Sequence, residues 1–290
     1  MSDSPTVSVL TTVYNRAKFL GECIESVQQS RFTDYEHIIV DDGSTDDSVA
    51  IAERYAAQDP RIKVFVNEQN LGDYPNRNQA AKHASGKYLK YLDADDLHGP
   101  WILNVMVDAM EQFPDAGFGI IDHGKNVPTF PIHLTGAQAQ DDFYSDRRNL
   151  LGRSPINAII KRDAFETAGG FSGKRMVGDF EMWHVLSQKH SVVVIPSGLA
   201  HYRQHDDQEM TDHAQDPLWG FRYYLVSRSQ LSDGQNPMSD ERKTLHLKSI
   251  ERRMGRTIIM TIKNHGFSKA SEMRKESNWS WGKVFSSAFS

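Results

Sequence analysis

The chain has 290 residues, 39% hydrophobic, 24% charged and 10% aromatic, enough apolar side chains for a sizeable core and unlike collagen or a disordered protein. Its one cysteine rules out an internal disulfide scaffold, and no apolar run approaches the ~20 residues that span a bilayer. The formal charge of -5 is uneven: residues 241–290 hold eleven Lys or Arg against four Glu, a net of +7, which leaves -12 on the first 240.

An acidic body argues against a nucleic-acid partner, whereas a basic tail suits phosphates or anionic lipid. The polar first five residues do not read as a signal peptide, so a cytoplasmic protein is expected. Cys23 shares an apolar helix face with Leu20, Ile24 and Val27 and reads as a small buried hydrophobe.

Four short apolar, β-branched runs come first, at residues 7–13, 37–41, 62–66 and 88–92. Their near-continuous apolar character predicts strands covered on both faces. Helix-period stretches separate them. Phe19, Leu20, Cys23, Ile24 and Val27 form one face; Val49, Ala52 and Ala56 form another after a capping-box pattern at residues 44–47; the third runs over residues 76–84. This alternation predicts right-handed βαβ units and a mostly parallel α/β sheet flanked by helices.

Beyond residue 96, Trp101, Val105, Ala109 and Met110 predict a helix and residues 118–121 a strand. Residues 122–153 read as an irregular polar segment, of a length that marks a functional or mobile loop in a compact domain. Strands follow at 157–160 and 191–195, with a helix over 181–188 between them. From Leu218 the pattern is helical, with Leu247, Ile250, Met254, Ile258 and Ile262 on one stripe opposite Arg252, Arg253 and Arg256. Two domains are expected, a catalytic one at 1–213 and an amphipathic, basic helical region at 214–290.

In a parallel α/β sheet, ligands bind outside the carboxyl ends of the strands. Those ends carry Thr12, Tyr14 and Asn15; Asp41, Asp42, Gly43 and Ser44; Asn67, Asn70 and Gly72, leading to Arg77; and Asp93, Asp95 and Asp96. Crowded carboxylates repel unless a cation or a set of donors joins them. The last cluster fits either a turn whose aspartates cap the next helix or oxygen ligands for a hard cation such as Mg²⁺ or Mn²⁺. The Asp pair after the second strand and Arg77 after the third favour a metal–diphosphate site. The chain has no G-x-G-x-x-G after the first strand, no G-x-x-x-x-G-K-[ST] and no G-x-S-x-G. Those absences argue against a dinucleotide dehydrogenase, a P-loop NTPase and an α/β-hydrolase.

Taken in order, Ser8-Val9-Leu10-Thr11-Thr12-Val13-Tyr14-Asn15, Ile38-Ile39-Val40-Asp41-Asp42-Gly43-Ser44-Thr45-Asp46, Asn70-Leu71-Gly72 with Arg77-Asn78, and Tyr91-Leu92-Asp93-Ala94-Asp95-Asp96 closely resemble the family 2 glycosyltransferases of the GT-A fold. The resemblance runs from about residue 5 to about residue 210. It implies inverting transfer of a sugar, of hexosyl or N-acetylhexosaminyl type, from a nucleotide diphosphate with one divalent metal, Mg²⁺ or Mn²⁺.

Carried over residue by residue, Thr12, Tyr14 and Asn15 would border the nucleoside pocket, Asp42 would bond the base, and Asn70 would join the donor site. Arg77 would lie near base and diphosphate, Asp93 would face the ribose or a metal-bound water, and Asp95 would ligate the metal directly. Gly178-Asp179-Phe180-Glu181-Met182-Trp183 is similar to the family's acidic-pair segment, which makes Asp179 the expected general base and Glu181 the fallback. Gly178 stands where the first acid of that pair is usual, and Asn76 where alanine is frequent. Ala200-His201-Tyr202-Arg203-Gln204-His205 resembles the family's Y-R-x-H element, so Arg203 is expected near the diphosphate and His205 on the metal or the diphosphate. His201 and His205, four apart, would suit zinc if they lay on one helix.

Two rival classes remain at this point. A sugar nucleotidyltransferase would carry a glycine-rich basic loop after the first strand, where Asn15-Arg16-Ala17-Lys18 has no glycine. A non-catalytic nucleotide-sugar binding module would have no need of Asp179. The expected partners are a UDP-sugar, though guanine is not excluded, and a saccharide or lipid-linked acceptor in cell-surface polysaccharide or glycolipid synthesis. The basic stretch 241–290, ending in Trp279, Trp281, Lys283 and Phe285, fits either peripheral contact with the inner membrane face, a cover on the domain, or a homodimer contact.

Overall fold

A computed structural model describes residues 4–124, 127–196, 200, 201, 203 and 216–289. In chain order the first part contains β1 (Val7–Val13), α1 (Ala17–Gln28), β2 (Tyr35–Asp41), α2 (Ser48–Ala56), β3 (Ile62–Val66), α3 (Asp73–His83), β4 (Tyr88–Asp93), β5 (Leu97–His98) and α4 (Ile102–Glu111). Then come β6 (Ala116–Ile121), β7 (Ile132–Leu134), α5 (Gly136–Tyr144), β8 (Ala158–Lys161), α6 (Arg162–Ala168), α7 (Gly178–Lys189), β9 (Ser191–Ile195) and β10 (Ala200–His201).

Eight strands form one sheet in the order β3-β2-β1-β4-β8-β6-β9-β7, and β5 pairs antiparallel with β10. β1 runs parallel to β2 and β4, β2 to β3, and β6 to β9; β8 is antiparallel to both β4 and β6. The sheet is therefore mostly parallel, as the continuous apolar runs require. Register pairs Val13 with Asp41 and Thr12 with Asp93, so β1, β2 and β4 finish at one level and present their following loops along one edge.

Pleat alternation sorts the core onto two faces. Leu10, Ile38, Val40, Leu89 and Tyr91 pack with Tyr74 and Ala80 of α3, Ala139 of α5, Phe165 of α6 and Trp183 of α7. Val7, Val9, Tyr35 and Leu92 pack with Cys23 and Val27 of α1 and Leu103 and Met106 of α4. Cys23 is buried, and burial pushes its thiol far above the ordinary range, in keeping with an inert small hydrophobe.

Three local expectations change. Residues 122–153 are not irregular throughout, since β7 and α5 lie within them. The Thr135 hydroxyl accepts the Gln138 N–H at 3.2 Å while the Gln138 side chain accepts the Thr135 N–H at 2.9 Å, a capping box that starts α5. The pattern at residues 44–47 caps nothing of that kind: Asp47 is the N-cap residue of α2, without a side-chain cap bond. Finally, α3 begins at Asp73 instead of Asn76, because Pro75 in a first turn costs no helical hydrogen bond.

The chain divides into two compact units, Met1–Arg203 and Gln204–Ser290. The expected boundary at 213/214 falls among residues outside the description. The second unit contains α8 (Pro217–Leu231), α9 (Asp240–His265), α10 (Phe267–Glu276) and α11 (Trp281–Ala288). Ile250, Met254 and Ile258 of the expected stripe are buried, with α8, α10 and α11 packed around α9. No described helix is long and apolar enough to cross a membrane.

Candidate active site

The loops after β1, β2 and β3 are tied to each other by side chains that the sequence had marked for a ligand. Asn15, held at a left-handed φ of 51°, donates its N–H to the Ser44 hydroxyl at 2.9 Å, and its side-chain oxygen accepts the Thr45 N–H at 2.8 Å. Asp42 is buried. One of its oxygens accepts from the Asn67 side chain at 2.7 Å and the Leu71 N–H at 2.9 Å, the other from the Gly72 N–H at 2.9 Å. Asn70 accepts the same Gly72 N–H at 3.0 Å. Gly72 has a φ of 87°, which a side chain would strain.

Asp42, Asn15 and Asn70 thus shape the loops that follow the strands, and Asp41 caps its turn by accepting the Ser44 N–H at 2.8 Å. Asn76, the departure on α3, joins this network: its side chain bonds Asn67 and the Val40 carbonyl. Tyr14 is exposed and Thr12 half-buried at the end of β1.

The acidic cluster after β4 is matched by arginines. Arg77, 7% exposed, reaches Asp73 at 2.8 Å and Asp93 at 2.7 Å, while its Nη1 is buried without a hydrogen-bond partner. Burial raises the Asp93 carboxyl even with Arg77 beside it. Arg16, at the end of the β1 loop, bonds Asp95 at 3.0 Å. Asp96 accepts the Arg203 N–H at 3.0 Å, and its other carboxyl oxygen is buried and unpartnered. Burial, and then the neighbouring Asp93, pushes Asp96 up to about 7. Two guanidinium groups, and one acid that burial pushes up to about 7, explain how three aspartates coexist on one turn. The Arg203 guanidinium reaches Glu22 at 2.6 Å.

Asp179 sits in the first turn of α7 and faces α3. Its Oδ1 accepts the Phe180 N–H at 2.7 Å and the Tyr74 hydroxyl at 3.1 Å; its Oδ2 has no partner among the described residues. Burial pushes this carboxyl up to about 6, against the lowering effect of those hydrogen bonds and of Arg77. Glu181, by contrast, is engaged by Ser172 and by Lys174 at 2.5 Å.

His205 lies outside the described residues. His201 belongs to a β-strand, so the helical four-residue spacing that would suit zinc is absent there. Among the described residues, no group of three or more His, Cys, Asp or Glu is placed to hold a metal by protein ligands alone. Sequence reasoning missed Arg16 and Tyr74. Arg16 occupied a strand end, the one signal that could have singled it out, and its partner is 79 residues away.

The sequence matches the model of glycosyl transferase family 2 over residues 8–169. Among curated proteins it is 25% identical over 248 residues to the glycosyltransferase GlyG of Streptococcus pneumoniae, covering 79% of this chain and 81% of that one. The structure superposes with a TM-score of 0.67 on S. aureus TarS 1–349 in complex with UDP-GlcNAc, at 20% identity, covering 86% of this chain and 72% of that one. It also superposes with a TM-score of 0.63 on the mannosyltransferase PcManGT of Pyrobaculum calidifontis in complex with GDP-Man and Mn²⁺, at 16% identity, covering 99% and 87%. Both likenesses are of fold. With the motifs in order along a mostly parallel sheet and the family match spanning more than half its length, the chain belongs to glycosyl transferase family 2 and is a glycosyltransferase of the GT-A fold.

Proposed function

We propose that this enzyme moves a hexosyl or N-acetylhexosaminyl unit from a nucleotide diphosphate, UDP by preference, to an acceptor hydroxyl with inversion at the anomeric carbon. The acceptor is a saccharide or lipid-linked saccharide in cell-surface polysaccharide or glycolipid synthesis. The nucleotide sugars in the TarS and PcManGT complexes support the donor class. The observation that carries the reading is Asp179: a carboxylate anchored through one oxygen, with the other unpartnered and its proton affinity raised to about 6. Such a group takes a proton near neutral pH.

The carboxylates after β4 fit a divalent cation. They are all-oxygen donors, and Asp96 keeps a buried oxygen without a partner. Asp95 would hold Mg²⁺ or Mn²⁺, with His205 as a second ligand and substrate phosphate oxygens completing the shell, the usual habit of such ions. Held there, such an ion would supply positive charge to offset that developing on the departing diphosphate. Arg77 turns its unpartnered Nη1 to the donor, Asp93 meets the ribose, Arg203 lies toward the diphosphate, and Thr12, Tyr14, Asn15, Asp42 and Asn70 frame the nucleoside. Asp179 Oδ2 accepts the acceptor's hydroxyl proton as that oxygen bonds the anomeric carbon. The carbon–oxygen bond to phosphate breaks with its electron pair leaving on the nucleoside diphosphate.

A thermal-shift panel of UDP, GDP and their sugars, with and without Mn²⁺, tests the donor class, and the anomeric configuration of the product tests inversion. Stabilisation by a nucleotide diphosphate that requires Mn²⁺, with an inverted product, supports the reading. No response to any of them, or retention, contradicts it.

A specific observation also favours peripheral attachment to the inner membrane face through 241–290. Phe267 stacks on Trp281 at 5.1 Å and Phe285 lies tilted against Trp281 at 6.3 Å, while Phe267, Phe285 and Phe289 are 61%, 48% and 81% exposed. Exposed aromatics on a basic helical unit suit a lipid interface. Sedimentation with anionic vesicles that weakens in high salt supports this; a concentration-dependent homodimer with no vesicle binding overturns it.

A further inference from the structure

Gly178 stands where the resembling family carries an acid, and the space that acid would occupy is filled from another element. A Cβ built on Gly178 would lie 2.8 Å from the ring of Tyr74 on α3. Tyr74 is buried, and its ring also packs on Phe171 at 5.3 Å. The same phenol donates to Asp179 Oδ1 at 3.1 Å, across 105 residues of sequence. Glycine at 178 and tyrosine at 74 are therefore one device, the missing side chain making room for the ring whose hydroxyl reaches the neighbouring carboxylate.

We propose that Tyr74 is the positioning residue for Asp179, holding Oδ1 so that Oδ2 alone is presented to the acceptor hydroxyl. This rests on the reading of Asp179 as the base and adds to it. With both the Phe180 N–H and the Tyr74 hydroxyl on Oδ1, rotation of the carboxylate would break two hydrogen bonds. The phenol stays protonated, because burial and the adjacent Asp179 charge raise it far above its ordinary range. Among the described residues, the charged groups facing Asp179 are Asp73 and Arg77 from α3, with Glu181 on its own helix already paired to Lys174. Arg77 favours the ionised carboxylate and Asp73 opposes it. Tyr74 is the neutral donor that adds to the effect of Arg77.

The test is a ¹³C NMR titration of aspartate-labelled full-length protein, the Asp179 signal being assigned by its loss in Asp179→Asn. Tyr74→Phe keeps the ring and removes the hydroxyl. It should raise the Asp179 titration by about 1 pH unit, as expected for one hydrogen bond to a charged group. Cleavage of UDP-GlcNAc or GDP-mannose in the presence of Mg²⁺ should slow by about threefold at pH 6.5 with donor KM unchanged. Gly178→Ala keeps the phenol but displaces the ring, and should move the titration the same way. If both variants fold, bind nucleotide and titrate where the parent does, the inference is overturned. Failure of the base reading looks different: Asp179→Asn would keep its turnover whatever Tyr74→Phe does to the titration.

Discussion

Two groups of carboxylates make up the acidic part of the candidate site, and their neighbours differ in kind. Asp93 and Asp95, after β4, each meet a guanidinium, Arg77 at 2.7 Å and Arg16 at 3.0 Å. Asp179, on α7, meets a phenol and a backbone N–H in a half-buried setting. Guanidinium partners offset the negative charge of a crowded carboxylate cluster, even though burial still raises Asp93, and suit a site that meets phosphates. Asp179, with neutral donors and one oxygen unpartnered among the described residues, is pushed up to about 6 and suits proton transfer. The same side chain is thus turned to two tasks by what surrounds it.

The largest expected effect breaks the first site alone. Asp95→Ala should cut transfer by at least ~10³-fold, several kcal/mol of leaving-group stabilisation, and should abolish any Mn²⁺-dependent gain in nucleotide affinity measured by calorimetry. Persistent metal-stimulated binding would place the cation elsewhere. Next in size, Arg77→Ala leaves Asp73 and Asp93 without their shared cation. The two acids are 35% and 29% exposed, so a loss of about 3 kcal/mol, the lower end for breaking a buried pair, is expected in urea unfolding. Arg77→Lys, which keeps charge but not the fork, should cost less.

The smallest is a pH effect that belongs to the second site. Asp179 acts as a base only when ionised, so kcat/KM should fall about tenfold per pH unit below an acid limb near 6. An acid limb near 4 would assign the proton transfer to a solvated carboxylate.

The first four strands and their loops were legible because each strand is a short apolar run covered on both faces, and each ends in polar residues whose order is distinctive. The boundary of α3 and the existence of α5 were less so: Pro75 masks a helix start, and the α5 cap depends on Thr135 and Gln138 inside a stretch dominated by polar residues. Asp42 and Asn15 were read as ligand-facing, but their hydrogen bonds to Leu71, Gly72 and Thr45 belong to the loops themselves. Local pattern carries no information about a hydroxyl that arrives from 105 residues away, so Tyr74 went unnoticed although Gly178 did not. The capacity of Asp179 to take a proton depends on burial, which only the assembled α3 and α7 supply.

The role of Asp179 is tested most directly by Asp179→Asn, with turnover and donor affinity measured on the same preparation against the nucleotide sugar that stabilises the parent protein most. Loss of turnover by at least ~10²-fold with donor affinity held within about twofold is the predicted result. Turnover retained, or turnover and donor affinity lost together, would contradict it.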